Sequence, residues 1–288
     1  MSELPRLNGI IKVLEAGGTA VTTFAPAEPS TGVSLAASNY DGVIYEMEHN
    51  PFDVKGLRDT LQYMLNRQQI VNGATLAPKV TPIVRIPPNG SERNQFLAKQ
   101  VLDIGVYGVV WPHVSTEEEA YNAVSASRYP RPEDRPYLEP RGQRGDAPVA
   151  AARYWGISQQ DYYKKADVWP LNPDGEILVI VMCEEVKSID NLDGILKHVP
   201  GIGVVLIGEG DLSQDLGYPR QYEHPVVVEA MAEIRKICKD NNVVVGHPHA
   251  EMGNIDTIVQ HGYRFTVAAS STTYPTLNKT LELTGRKK

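Results

Sequence analysis

The stretch Glu176 to Gly217 reads EILVIVMCEE (176–185), an amphipathic interval, then GIGVVLIGEGDLSQDLG (201–217). Its two apolar, β-branched runs, 177–182 and 203–207, read as strands buried on both faces. The interval 187–198 has the length of one helix, so the two strands are predicted to lie parallel, with their carboxyl ends on the same side. Each run ends at an acid: Glu184, with Glu185 beside it, and Asp211. Strand alternation turns Glu185 away from its neighbour, so Glu184 and Asp211 are the pair expected to converge. Two carboxylates at a sheet edge, flanked by Gly208 and Gly210, suit a hard divalent cation that keeps open positions for water.

The 288 residues carry a net charge of −7, with 42% hydrophobic and 22% charged residues, and the pI is near 5.6. An acidic chain of this kind is not expected to have nucleic acid or an anionic membrane surface as its partner. Cys183 and Cys238 sit in apolar segments and read as reduced core residues, which points to a cytoplasmic protein. The start of the chain lacks a basic-plus-apolar signal pattern, and no apolar run approaches the roughly 20 residues of a membrane span.

Outward from the opening stretch, strand and helix patterns alternate along the chain. Strands are predicted at 19–24, 41–46, 80–85, 107–111, 177–182, 203–207, 242–246 and 264–268. Helices are predicted at 7–15, 30–38, 53–70, 91–104, 115–125, 187–198, 225–240 and 252–262, with Ser115 and Glu118 fitting a capping box. Eight strand–helix units imply a single α/β domain over 1–288, a parallel eight-stranded (β/α)₈ TIM barrel. One segment breaks the rhythm: 128–175, dense at first in Pro, Arg and acids, is a long insertion before the fifth strand. It carries a helix at 158–166 and is expected to fold over a barrel end. A C-terminal helix is placed at 275–288, with a frayed tail at 286–288.

Chemistry in such a barrel gathers at the strand carboxyl ends. These supply Phe24, Glu46, Glu48, His49, Arg85, Trp111, His113, Glu184, Asp211, His247, His249 and Ser270. A cation from Arg85, a histidine flanked by acids and a two-carboxylate metal site facing one cavity suit a small anionic substrate that chelates metal and needs a proton moved. His247 and His249 share a strand face and either line this site or stand behind it. Arg144 is expected to fix its own loop.

The segments DGVIYEMEHNPFD, PIVRIP, QVLDIGVYGVVWPHV, PRGQRG, VMCEE with NLDGIL, and IGEGDLSQDLGYP together resemble the class II, divalent-metal hydroxyketoacid aldolases. This family is typified by 4-hydroxy-2-oxoheptanedioate aldolase and includes macrophomate synthase and 2-keto-3-deoxy sugar acid aldolases. The resemblance runs over almost the whole chain. It implies a cytoplasmic carbon–carbon lyase acting on 2-oxo acids through a pyruvate-type enolate, of the kind that also serves aromatic compound catabolism. It implies Mg²⁺ or Mn²⁺, with Co²⁺ as a further choice, and a homohexamer whose C-terminal helices are exchanged.

Position by position, Glu184 and Asp211 match the metal ligands, and His49 matches the catalytic histidine with Glu46 as its acid partner. Arg85 matches the arginine that holds the keto acid, and Asp103 an acid contributed across a subunit interface. Gly210 and the Asp211 amide would receive the substrate carboxylate, with Phe24 and Met182 lining the site. Departures are visible: Met182 replaces a common glutamine, GEGDL introduces Glu209, and Ser270-Ser271 replaces an aspartate. These leave two neighbouring reactions open, decarboxylation of oxaloacetate and transfer of the enolate to an unusual acceptor as in macrophomate synthase. A barrel that binds a metabolite without turnover is the contrasting class.

Overall fold

The computed structural model describes residues 5–73, 75–88 and 92–287. The strands are β1 (Ala20–Pro26), β2 (Gly42–Glu46), β3 (Thr81–Arg85), β4 (Gly108–Trp111), β5 (Val168–Trp169), β6 (Ile177–Cys183), β7 (Val204–Ile207), β8 (Val244–Ala250) and β9 (Phe265–Ala268). All pairings are parallel. The order β4-β3-β2-β1-β9-β8-β7-β6 closes through β4–β6, with Val109 opposite Val179. The eight expected strands therefore form the closed barrel. β5 is an unexpected ninth, two residues long, that pairs with the start of β6.

The helices are α1 (Gly9–Glu15), α2 (Pro29–Ala36), α3 (Val54–Tyr63), α4 (Arg67–Asn72), α5 (Gln95–Asp103), α6 (Glu117–Ala126), α7 (Val149–Trp155), α8 (Gln159–Lys165), α9 (Val186–His198), α10 (Glu209–Asp215), α11 (Pro225–Asp240), α12 (Ile255–Gln260) and α13 (Pro275–Thr284). β6 is buried at every residue, and α9 lays Leu192 and Ile195 into the core. Such all-round burial explains why its sequence shows a continuous apolar run with no alternation.

Several boundaries differ from expectation for local reasons. The helix predicted over 53–70 is two, because Asn66 caps a new start, its side chain accepting from the Gln69 amide at 3.1 Å. The helix predicted over 91–104 begins at Gln95, and residue 91 lies outside the described residues. The capping box of α6 is Thr116 with Glu119, one residue later than predicted, which frees the Ser115 hydroxyl for another partner. β8 continues past Gly246 to Ala250, with a register shift after His247.

The N-terminal end of the barrel is closed by α1. Asn8 caps that helix, donates to Tyr107 and Glu176 carbonyls at 3.0 Å, and gives its amide N–H to buried Glu176 at 2.7 Å. The insertion packs at the same end. Trp155 stacks on Tyr107 at 4.4 Å, and buried Arg128 pairs with Asp167 at 2.6 Å while donating to the Pro140 and Tyr137 carbonyls. The tail is not frayed where it is described: Arg286 forks onto Asp41 at 2.8 and 2.9 Å. The last helix ends at Thr284, four residues short of the expected 288, because Gly285 terminates it in the left-handed conformation.

Candidate active site

Glu184 follows β6 directly, its side chain 1% exposed. Its Oε1 accepts the His113 backbone N–H at 2.6 Å, while Oε2 is buried with no hydrogen-bond partner. A Cβ at Gly208 would collide with that oxygen, so the backbone passes there only as glycine. Asp211 stands in the first turn of α10. Burial pushes the Glu184 carboxyl up to about 7; His113 opposes this, and the charges of Glu48 and Asp211 add to it.

A buried, donorless carboxylate oxygen beside a second carboxylate fits a hard divalent cation, which satisfies the oxygen and reverses the cost of its charge. Among the described residues no group of three or more His, Cys, Asp or Glu is placed to hold a metal ion. The donor set at hand is two acids, Glu184 and Asp211, so water and substrate oxygens would fill the other positions of such a cation.

Arg85, at the end of β3, organises the other side. Its Nε and Nη2 grip Glu46 Oε2 at 2.6 and 2.5 Å, and Nη1 reaches Glu48 Oε2 at 3.0 Å. The guanidinium lies 4.8 Å from the Phe24 ring centroid, and Nη1 is 3.9 Å from Met182 Sδ. Four strands thus bring Phe24, Glu46, Arg85 and Met182 together.

Glu46 does not touch the His49 ring. Its Oε1 accepts the backbone N–H groups of Glu48 and His49 at 2.8 and 3.0 Å, because a planar guanidinium and a tight turn satisfy both carboxylate oxygens. The acid at the imidazole is Glu48, 3.6 Å from Nε2, and His49 is 65% exposed. Burial raises the Glu48 carboxyl above its ordinary value, against the pull of Arg85 and His49.

His113 was no more than a strand-end candidate, yet it stands among the acids. Its Nδ1 lies 2.9 Å from Glu185 Oε1, and Ser115 Oγ donates to Glu185 Oε2 at 2.6 Å. Burial alone would lower its pKa; the carboxylates of Glu184, Glu185 and Glu48 outweigh that and raise it. The sequence held a signal for this pairing, Glu185 at a helix start opposite a histidine at the neighbouring strand end. Only the closure of β4 onto β6 made them partners.

Asp103 lies at the C-terminus of α5, at the barrel end away from its own strand carboxyl ends. Buried Arg144 holds it at 2.9 Å while stacking on Tyr129 at 4.3 Å and donating to the Tyr162 hydroxyl at 3.0 Å. Arg144 therefore fixes its loop and α5 together. His247 and His249 both turn to Glu209: Nδ1 of His249 contacts its Oε1, and His247 Nε2 is 3.7 Å from Oε2. Burial lowers the His247 pKa to about 4, so it is neutral at physiological pH.

A sequence profile of the HpcH/HpaI aldolase/citrate lyase family matches residues 22–274. The chain belongs to this family. It is 30% identical over 243 residues to a hydroxypyruvate/pyruvate aldolase of Roseobacter denitrificans, covering 84% of this chain and 82% of that protein. It is 36% identical over 217 residues to 2-keto-3-deoxy-L-rhamnonate aldolase of Salmonella paratyphi B, covering 74% of this chain and 68% of that one. Among solved structures, a family protein from Burkholderia cenocepacia superposes with a TM-score of 0.74 at 26% identity, covering 95% of this chain and 96% of the other. As a member of this family the chain is a carbon–carbon lyase, a class II aldolase. No helix among the described residues is long and apolar enough to cross a membrane.

Proposed function

We propose that this aldolase cleaves, and in reverse forms, the C3–C4 bond of 4-hydroxy-2-oxo acids, with pyruvate as the nucleophilic half. The observation that carries this reading is the donorless buried oxygen of Glu184, close enough to Asp211 for the two charges to repel, with Arg85 at the same barrel mouth. Mg²⁺ or Mn²⁺, held by Glu184 and Asp211, would supply the positive charge that stabilises the enolate oxygen.

The chain's own residues do the rest. Arg85, fixed by Glu46 and Glu48 and backed by Phe24, holds a substrate oxygen at a defined angle. The amides of Gly210 and Asp211, in the first turn of α10, receive the substrate carboxylate. Met182 lines the floor beside Arg85 without adding a hydrogen-bond donor. The His49 ring takes the proton from the C4 hydroxyl. The C3–C4 electron pair then moves onto the pyruvate half, C4 leaves as an aldehyde, and C3 is protonated to give pyruvate. Oxaloacetate would reach the same enolate by losing carbon dioxide, with no hydroxyl proton to move.

The deciding assay measures pyruvate release from 4-hydroxy-2-oxo acids and from oxaloacetate, with Mg²⁺, with Mn²⁺ and after chelation. Cleavage that vanishes on chelation and returns with either metal is the expected result. Metal-independent cleavage would refute the cation site, and decarboxylation with no cleavage would refute 4-hydroxy-2-oxo acids as the substrates.

The reading extends to assembly. Asp103 is anchored by Arg144 at the end of the barrel away from its own catalytic face, so an active-site role for it requires a neighbouring subunit. A cytoplasmic hexamer in which α13 also packs between subunits meets that requirement. Sedimentation should show an oligomer at assay concentration, and an active monomer would dispose of the arrangement.

A further inference from the structure

Glu209 is a buried acid that the chemistry above leaves without a task, two residues before Asp211 in the first turn of α10. Successive residues of a helix are rotated by about 100°, so side chains two apart point in nearly opposite directions. Asp211 faces the site, where its charge reaches Glu184. Glu209 turns the other way, onto the end of β8. There His249 Nδ1 contacts its Oε1, and His247 Nε2 stands 3.7 Å from its Oε2. A carboxylate taken out of water is tolerated where it is paired, and these two imidazoles are the partners the fold supplies.

The two histidines are themselves held. β8 runs past Gly246 to Ala250, with a register shift after His247, and so brings both rings to Glu209. The His249 backbone N–H donates to His247 Nδ1 at 3.2 Å, which leaves the proton of the neutral His247 ring on Nε2, the nitrogen nearer Glu209. The His247 ring sits edge-on to Tyr263 at 5.0 Å, and the Tyr263 hydroxyl accepts from Arg235 Nη1 at 3.4 Å. The helix at the other end of this contact needs an anchor. α10 has seven residues, too few to be stable without tertiary contacts. Its last turn is tied by Asp215, which accepts the Val186 N–H at 2.7 Å. Its first turn carries Gly210, where a Cβ would meet nothing within 4 Å, so packing does not hold the backbone on that side.

We propose that Glu209 is a positioning residue for the cation: its clamp to His249 and His247 sets the rotation of the first turn of α10, and with it the approach of Asp211 to Glu184. The role rests on the cation site assigned to Glu184 and Asp211 in the lyase reading above. Side chains that orient a metal ligand without touching the metal are worth about 10–100-fold in metal affinity.

The test follows Mg²⁺ binding by calorimetry in the full-length protein and in Glu209→Ala, Glu209→Gln, His249→Ala and the double alanine variant, with thermal denaturation of each in the metal-free form. Both single alanine variants are expected to raise the Kd for Mg²⁺ by about 10–100-fold. The double variant should bind no more weakly than the weaker of the two, because each change removes the same clamp. Glu209→Gln keeps an oxygen facing the His249 ring and should recover most of the affinity. The His249 side chain is 55% exposed, so His249→Ala carries the test if the Glu209 variants fail to fold. Alanine variants that lose thermal stability yet bind Mg²⁺ as the wild type does would show a clamp that only supports the fold and would overturn the proposal. Losses that add in the double variant, or a glutamine variant as weak as the alanine one, would overturn it too. All three results leave the lyase reading standing, whereas a wild-type protein that binds no Mg²⁺ would overturn both.

Discussion

Glu184→Gln and Asp211→Ala are each expected to abolish metal-dependent turnover and tight Mg²⁺ binding while the barrel stays folded. For Glu184 the same change should stabilise the metal-free protein. Its carboxyl has a folded-state pKa of about 7, above the ordinary value of 4.5, so the folded state binds the proton more tightly than the unfolded one does. The sign follows directly. The Glu184 contribution to metal-free stability is greatest below pH 4.5 and declines as pH rises to about 7, above which the buried charge costs its full amount. At 1% exposure solvent screens little of this, and the cost is on the order of 2–3 kcal/mol. Thermal denaturation of the metal-free protein from pH 4.5 to 8 should show that loss in the wild type and much less of it in Glu184→Gln. Added Mg²⁺ should recover it in the wild type alone. Identical pH profiles for the two proteins, or unchanged metal binding by calorimetry in both variants, would show that the cation site lies elsewhere.

His49→Ala is expected to slow cleavage of 4-hydroxy-2-oxo acids by about 10²–10⁴-fold, the usual worth of general acid–base catalysis. Decarboxylation of oxaloacetate moves no hydroxyl proton and should fall far less. The structure sharpens the companion experiment. Glu48, not Glu46, is the acid at the imidazole, whereas Glu46 grips Arg85 and the backbone of the turn. Glu48→Gln should therefore cut cleavage as the histidine variant does, with a smaller loss of decarboxylation that arises because Glu48 also holds Arg85 Nη1. Glu46→Gln, which loosens Arg85, should weaken both reactions together. Equal losses in the two reactions for His49→Ala would mean that the histidine orients substrate and moves no proton.

Arg85 illustrates how these effects combine. Three of its nitrogens are spent on two carboxylates, and its face rests on Phe24. A guanidinium held so firmly contributes a fixed positive field at little entropic cost when substrate arrives. The buried Glu48 carboxylate, whose own charge burial disfavours, is made tolerable by the same arginine. The site is thus a set of mutually compensating charges, and removing one member exposes the cost of its neighbours.

The fold was legible in the sequence because its main signals are local. Fully buried parallel strands demand unbroken apolar runs, and ILVIVMC and VVLI supply them beside glycines and acids at each end. Strand carboxyl ends share one face in a parallel barrel, so Glu184, Asp211, Arg85, Glu46 and His49 could be nominated before any coordinate was known. The close approach at Gly208 could be anticipated too, since only a bare backbone admits the Glu184 oxygen beside it.

What sequence could not decide was which carboxylate each cation meets. Glu46 and Glu48, like Glu184 and Glu185, are close neighbours along the chain, and their choices follow from side-chain directions set after the barrel closes. Glu185 turns to His113 because β4 and β6 are neighbours, although an insertion of almost fifty residues separates them in the chain. The shift of the capping box from Ser115 to Thr116 has the same cause: Glu185 takes the Ser115 hydroxyl, and the helix starts one residue later. Hydrophobic periodicity is written residue by residue. Charge pairing is settled across the sheet by distance and desolvation, which exist only once the strands have closed into a barrel.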